Sequence, residues 1–392
     1  MVYAIQNGKI IAKDKILEGY TLYFEGEKIL AITKDALKAD EVIDAKGLFV
    51  SPGFVDTHTH GAAGFDFLDG TEEAFLTATA FQAKHGATTV LPTITSANLD
   101  DMSRALKAYE RVKDSKTHGA HMPGVHLEGP YFAAAQAGAQ DPKYLRDFTP
   151  EEYNAVFALS KNILRWSAAP ELAGAEEFAR VAIQNGCLPC IGHSDAEDKE
   201  VRDAFEWGFT HITHFYSGCS MVHRKNAYRY TGVVEEGYLN DGMTVEIIAD
   251  GCHLPASLLK LICKVKGTDN VCLVTDSMRA AGMPEGPSII GSAENGMAIV
   301  IEDGVAKLPD RSAFAGSVAT SDRLVRNMVQ LAELPLTEAV KMAATTPARI
   351  FGLTGIGELK PGYDADILLF NENIDIEMTF VKGNCVFSRN EK

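Results

Sequence analysis

The chain has 392 residues, 46% of them hydrophobic and 23% charged, which supplies a large core and excludes disordered or collagen-like structure. A formal net charge of −16 argues against nucleic acid and anionic membranes as partners, no local basic patch offsets it, and a small-molecule partner is expected. The opening MVYAIQNGKI has no signal-peptide pattern, no apolar stretch is long enough to span a bilayer, and the seven cysteines lack disulfide-framework spacing, so a cytoplasmic protein with reduced thiols is expected.

Residues 1–52 hold short alternating strands, in NGKIIA, TLYFEGEKILAI and EVIDAKGLFVSPG. From residue 53 the pattern changes to short β-rich runs: GFVDTH (53–58), ATTVLPT (87–93), MPGVHLE (122–128), ILRWSAAPE (163–171), CLPCIGH (187–193), FTHITH (209–214), TVEIIAD (244–250) and NVCLVTD (270–276). Amphipathic stretches at 71–85, 100–113, 150–161, 174–185, 196–207 and 255–266 separate most of them, while 215–243 reads as a long loop. Eight alternating units predict a parallel sheet closed into a (β/α)8 TIM-type barrel. Residues 355–389 return to the opening style with GELKPGYDADILLF and MTFVKGNCVF. Neither terminal piece is large enough to bury a core alone, so 1–52 plus 354–392 are expected to form one small β-sandwich, with 53–353 as the barrel.

A barrel of this kind works at the C-terminal ends of its strands, so the residues closing each run belong together: His58 and His60, Thr93, Glu128, Glu171, His193, His214, Asp250 with His253, and Asp276. The HTH of VDTHTHG puts two imidazoles on one strand face, beside Gly61 and Gly64, as a metal requires. Glu128 in VHLEGPY shares a face with His126; buried there, its carboxylate needs a cation, either a metal or an Arg or Lys. His193 in IGHSD and His214 in ITHFYSG occupy matching strand ends. His211 should face the other side of its strand and is read as structural. Glu128, His193 and His214 form a three-ligand set with room for water, the pattern of a catalytic metal site. Asp276 in LVTDS suits a general acid/base beside such a metal, or a helix N-cap.

VDTHTHG, HLEGPY, GHSD, THFYSG, ADGCH and LVTDS, in this order over nearly the whole chain, resemble the amidohydrolase superfamily and within it the N-acetylglucosamine-6-phosphate deacetylases. The resemblance implies Glu128, His193 and His214 as ligands of the main metal, His58 and His60 as helpers of a second, and Asp276 as catalytic acid/base. It implies a divalent ion, zinc first, with iron, manganese and cobalt as alternatives, in one or two copies. It further implies substrate contact at His253 and an acetamide pocket lined by Phe314, Ala315 and Gly316. Three departures fall in the substrate shell: Ala139-Gln140 where the family carries a histidine, Ser217-Gly218 where it carries Asn-Ala, and HRKNA in place of an HREPG-like stretch. Arg224, with Arg229 as alternate, would then meet the phosphate, across the interface of an expected homodimer. The implied reaction is deacetylation of N-acetylglucosamine 6-phosphate; a different N-acyl sugar or a cyclic amide is the nearer alternative, and a non-catalytic scaffold the farther one.

Overall fold

The computed structural model describes residues 1–115 and 119–389. Residues 390–392, counted with the terminal piece above, lie outside the described residues.

The eight β-rich runs form one eight-stranded parallel sheet: β1 (Phe54–Thr59), β2 (Ala87–Thr95), β3 (Val125–Glu128), β4 (Ile163–Ala168), β5 (Leu188–Ile191), β6 (His211–Ile212), β7 (Thr244–Ile247) and β8 (Val271–Leu273), paired in sequence order. The sheet is drawn together just past its ends. A parallel bridge joins Thr59 to Ser277, the Asp276 N–H donates to the His58 carbonyl (2.8 Å), and the His60 N–H donates to the Ser277 carbonyl (2.7 Å). This is a nearly closed TIM-type barrel. Strands buried on both faces become continuous apolar or β-branched runs, and all nine residues of β2 are buried. Pro92 cannot donate to the ladder, and the β1–β2 register shifts between Val90 and Pro92.

The helices fall close to their predicted spans: Glu72–Lys84, Leu99–Val112, Pro150–Leu159, Ala175–Gln184, Asp198–Trp207 and Ala256–Lys266. Thr71 and Asn98 cap the first two by accepting from the Ala74 and Asp101 N–H groups. The expectation of a loop over 215–243 is corrected, because the segment holds a hairpin (His223–Lys225 with Tyr228–Tyr230) and a helix, Val233–Leu239. Seven residues are too few to show a helical period, and Gly237 interrupts them. A Cβ at Gly237 would lie 2.7 Å from Ile212 Cδ1, so the close fit of helix to β6 needs the glycine. A three-stranded sheet, Gly286–Ile290, Met297–Glu302 and Val305–Lys307, follows the last barrel strand.

The chain ends build two further sheets. Lys9–Ala12, Lys15–Leu17 and Phe49–Pro52 join Ile367–Phe370, Ile376–Val381 and Asn384–Ser388 in one sheet; Val2–Gln6, Thr21–Glu25, Lys28–Thr33 and Glu41–Asp44 form the other. Ile5, Leu22 and Phe24 from the second pack in one apolar cluster with Ile10, Val50, Leu369 and Phe380 from the first. No helix among the described residues is long and apolar enough to cross a membrane.

Two features of this frame predict measurable behaviour. Trp166, fully buried on β4, packs against Tyr131, Phe157 and Phe178, and its Nε1 donates to the Gly129 carbonyl (2.8 Å) directly behind Glu128. Trp166→Ala is expected to cost about 3–5 kcal/mol in denaturant unfolding, and Trp166→Phe, which loses chiefly the hydrogen bond, about 1 kcal/mol.

Asp366 is fully shielded at the base of the terminal sheet, and burial pushes its pKa from 3.8 up to about 7, against the opposing hydrogen bond from the Lys382 N–H (2.7 Å). Its Oδ2 has no hydrogen-bond partner among the described residues. Between pH 4 and 7 the folded protein therefore holds a proton that the unfolded chain releases, so this residue's contribution makes stability fall as pH rises. Asp366→Asn should remove that slope, raising stability at pH 8 relative to pH 5 by about 2–4 kcal/mol against the parent in pH-dependent unfolding.

Candidate metal centre

The ends of the barrel strands bring five of the expected ligands into one buried cluster. β1 supplies His58 and, one residue beyond its end, His60; β3 ends on Glu128; His193 and His214 lie two residues past β5 and β6. Glu128 Oε1 is 3.0 Å from His214 Nε2, 3.3 Å from His193 Nε2 and 3.5 Å from His58 Nε2, and its Oε2 is 3.3 Å from His60 Nε2. Asp276 Oδ1 lies 3.0 Å from His60 Nε2 and 3.3 Å from His58 Nε2. Two ligand triads result, His58–His60–Glu128 and Glu128–His193–His214, sharing the glutamate.

Three of these residues reach the centre through unusual backbone. His193 (φ 46°), His214 (φ 27°) and Asp276 (φ 47°) all have positive φ, a conformation most side chains avoid. Each turn swings a side chain that has left its strand back over the barrel mouth. At Gly218 (φ 56°) a Cβ would stand 2.8 Å from His193 Nδ1, so the glycine lets its loop pass against that ring.

The outer nitrogens test whether a cation fits. His193 Nδ1 donates to the Gln136 carbonyl (2.8 Å), His214 Nδ1 to the Ser217 carbonyl (2.9 Å) and His58 Nδ1 to Glu246 Oε1 (2.7 Å). In the neutral form of each ring Nδ1 carries the proton and Nε2 turns its lone pair inward, and the Nε2 atoms of His193 and His214 are only 3.2 Å apart. His58 Nε2 is buried and has no hydrogen-bond partner among the described residues. Nitrogen lone pairs crowded around carboxylate oxygens are an arrangement that a divalent cation satisfies, so the residues fit a metal.

Electrostatics agree. Burial would raise the Glu128 pKa, but the imidazoles of His58, His193, His214 and His60, in their protonated forms, outweigh it and hold it well below the ordinary range. Burial likewise opposes ionisation of Asp276, and His58 and His60 again prevail, holding it down. Without a cation the cost appears on the histidines: burial disfavours the charged form of His214, yet Glu128 pulls its pKa up to about 9.

Gln140 is locked by its Oε1, which accepts from Thr95 Oγ1 (3.0 Å) and the Ser96 N–H (3.3 Å), so that its Nε2 donates to Glu128 Oε2 (2.8 Å). His253 donates through Nδ1 to Asp250 Oδ2 (2.8 Å) and packs on the Phe314 ring. A cavity of about 190 Å³ opens on this cluster of histidines and carboxylates; Ala139, Gln140, Ser217, Gly218, His253, Phe314 and Gly316 are among its lining residues.

Several expected residues lie elsewhere. Ala315 is fully buried behind the cavity wall, packed with Met278 and Ala280, because its neighbours alternate outward. Arg224 and Arg229 face each other across the exposed 223–230 hairpin and do not line the cavity. Glu171 instead accepts from Ser194 Oγ (2.7 Å) and the Asp195 N–H, and Thr93 is internal to β2, accepting from the Thr59 N–H (3.0 Å). Cys187 and Cys190 are buried thiols.

His211 corrects another expectation. Its ring enters the barrel, with Nε2 at 3.3 Å from Glu246 Oε2, because the chain leaves the strand after Ile212 and strand alternation no longer relates it to His214. Glu246 itself was missed by sequence reasoning. It and Arg165 are each a lone charge inside an apolar run, and they pair in the barrel interior, where burial opposes the Glu246 charge but Arg165 holds its pKa well below the ordinary range. His211, Glu246 and Cys272 are close enough to resemble a third ligand group, but the Arg165 guanidinium already supplies its cation.

A parallel barrel whose mouth gathers histidines and carboxylates around a place for a divalent ion defines a metal-dependent hydrolase. The model of the amidohydrolase family matches residues 49–386, and the chain belongs to that family, as an enzyme acting on carbon–nitrogen bonds. It is 31% identical over 386 residues to an N-acetylgalactosamine-6-phosphate deacetylase of Escherichia coli O157:H7, covering 98% of this chain and 99% of the relative. It is 32% identical over 342 residues to an N-acetylglucosamine-6-phosphate deacetylase of Lysinibacillus sphaericus, covering 87% and 86%. Among solved structures, a mutant of the N-acetyl-D-glucosamine-6-phosphate deacetylase of Mycobacterium smegmatis, in complex with N-acetyl-D-glucosamine-6-phosphate, superposes with a TM-score of 0.89 at 27% identity, covering 99% of each chain.

Proposed function

We propose that the protein hydrolyses the acetamide of N-acetylglucosamine 6-phosphate, giving glucosamine 6-phosphate and acetate. The observation that carries this reading is the cavity that opens directly on inward-facing histidine nitrogens, Glu128 and Asp276. Similarity over nearly the full chain to deacetylases of amino-sugar phosphates supports the substrate class.

In this reading Glu128, His193 and His214 hold one divalent ion, and His58 and His60, with Glu128, hold a second. Zinc suits the mixed imidazole and carboxylate set, as iron, manganese and cobalt do. A bound ion of this kind lowers the pKa of water toward neutrality and polarises a carbonyl. Asp276, ionised and at the edge of the cluster, accepts the proton of the attacking water and delivers it to the amide nitrogen, so that an amine leaves rather than an amide anion. His253, its tautomer fixed by Asp250, presents Nε2 to the substrate. Gln140 holds one oxygen of Glu128 while bordering the acetamide. Phe314, Gly316, Ala139, Ser217 and Gly218 shape the remaining wall.

We place residues 53–353 as the catalytic unit and 1–52 with 354–392 as a supporting unit. A homodimer would allow Arg224 or Arg229 of one subunit to meet the phosphate at the other's cavity, and their exposed hairpin supports that arrangement.

One observation favours a second reading, an enzyme for another N-acyl amino sugar: among the described residues no Lys or Arg lines the cavity. Acetate release from N-acetylglucosamine 6-phosphate, its galactosamine and mannosamine isomers and the unphosphorylated sugar decides between them. Preference for the glucosamine phosphate by orders of magnitude in kcat/KM is expected. Preference for another sugar would transfer the assignment to it.

A further inference from the structure

Glu246 occupies the third position of β7 with no solvent exposure, and both of its oxygens are committed. Oε2 meets Arg165 Nη1 and His211 Nε2; Oε1 accepts from His58 Nδ1 (2.7 Å) and from the His214 backbone N–H (3.0 Å). Arg165 is itself fully buried and anchored, with Nη1 donating to the Thr57 carbonyl (3.3 Å) and Nη2 to Thr213 Oγ1 (3.1 Å). A rigid relay thus runs from Arg165 through Glu246 to His58.

The consequence differs between the two histidines of β1. His58 has its Nδ1 proton fixed and its Nε2 aimed, without a hydrogen bond, between Glu128 and Asp276. Among the described residues the buried His60 Nδ1 finds no hydrogen-bond partner, so no carboxylate holds that ring from behind as Glu246 holds His58. The orientation of this half of the site therefore depends on His58, and His58 depends on Glu246. The same Oε1 also grips the backbone of His214, at the turn with φ 27° that aims the other half. One oxygen atom holds a ligand from each triad.

We propose that Glu246 is the positioning residue that sets occupancy of the second metal position: its carboxylate fixes the His58 tautomer and ring so that this half can bind an ion beside the one held by Glu128, His193 and His214. The inference rests on the reading of His58 and His60 as metal ligands. A purely structural Glu246, serving only as counter-ion to Arg165, would affect folding but not the number of ions bound.

The test is zinc stoichiometry and affinity in the full-length protein, by equilibrium dialysis and elemental analysis, for the parent, His58→Ala, Glu246→Gln and the double variant Arg165→Gln/Glu246→Gln. The double variant leaves no unpaired buried charge and decides the matter if Glu246→Gln does not fold. Expected are two zinc ions in the parent and a second-ion affinity reduced 10- to 100-fold in the Glu246 variants, with a smaller loss at the first ion, whose ligand His214 meets Glu246 only through its backbone N–H. Nitrogen-15 spectra of the metal-free parent, recorded at a pH where the His58 ring is neutral and independent of any variant, should show the Nδ1–H tautomer alone. Unaltered second-ion affinity in a folded Glu246 variant, or a mixed His58 tautomer in the parent, would overturn the role of Glu246 while leaving the ligand reading standing. A parent that binds one ion, with His58→Ala unchanged, would overturn the ligand reading and this inference with it.

Discussion

Asp276→Asn is expected to lower kcat by about 10³-fold or more while the protein keeps its fold and its metal. The substitution is clean for structural reasons. Asparagine tolerates the left-handed backbone that Asp276 adopts (φ 47°), and it preserves the shape and one oxygen that can face His60. What it removes is the ability to take a proton from water and return it to nitrogen. Elemental analysis should find metal content near that of the parent, and unfolding should be little altered. Turnover close to the parent's would refute the assignment of Asp276 as the proton carrier.

Glu128→Gln should instead act on the metal. Glu128 is the one residue common to both triads, and its two oxygens face different partners: Oε1 toward His193, His214 and His58, Oε2 toward His60 and the Gln140 amide. An amide in its place removes the shared anion, and its NH2 group must either confront the Gln140 NH2 or enter the space of the cation. Metal affinity should fall on the order of 10²–10³-fold, beyond the 10–100-fold typical of residues that only support a ligand. Competition against a chromophoric chelator measures this directly, and unchanged affinity would remove Glu128 from the ligand set.

The barrel was legible because strands buried on both faces appear as short continuous apolar runs, and eight of them alternate with helical stretches. The clustering of the site side chains was legible for a related reason: strand ends are where a parallel barrel exposes side chains to its mouth, so His58, Glu128, His193, His214 and Asp276 could be read together. Glu246 and Arg165 were not read. Each is a single charge within an apolar run, and only the requirement that buried charges find partners could have joined them across 81 residues. The error at His211 came from extending strand alternation past the end of a strand only two residues long. Nor could spacing reveal the turns at His193, His214 and Asp276, since positive φ at residues other than glycine leaves little trace in a single sequence.

Those three turns limit what evolution or design could place at the mouth. A left-handed backbone costs most side chains about 1 kcal/mol or more and is tolerated best by Gly, Asn and Asp, with His also enriched there. Exchange within that set leaves the main chain undisturbed, whereas a β-branched residue at 193, 214 or 276 would strain the turn before any chemistry was tested. The alphabet open to new activities in this barrel is therefore narrow at these three turns and wider at positions such as Gln140, Ser217 and Phe314, where the cavity wall varies without rebuilding the turns that aim His193, His214 and Asp276.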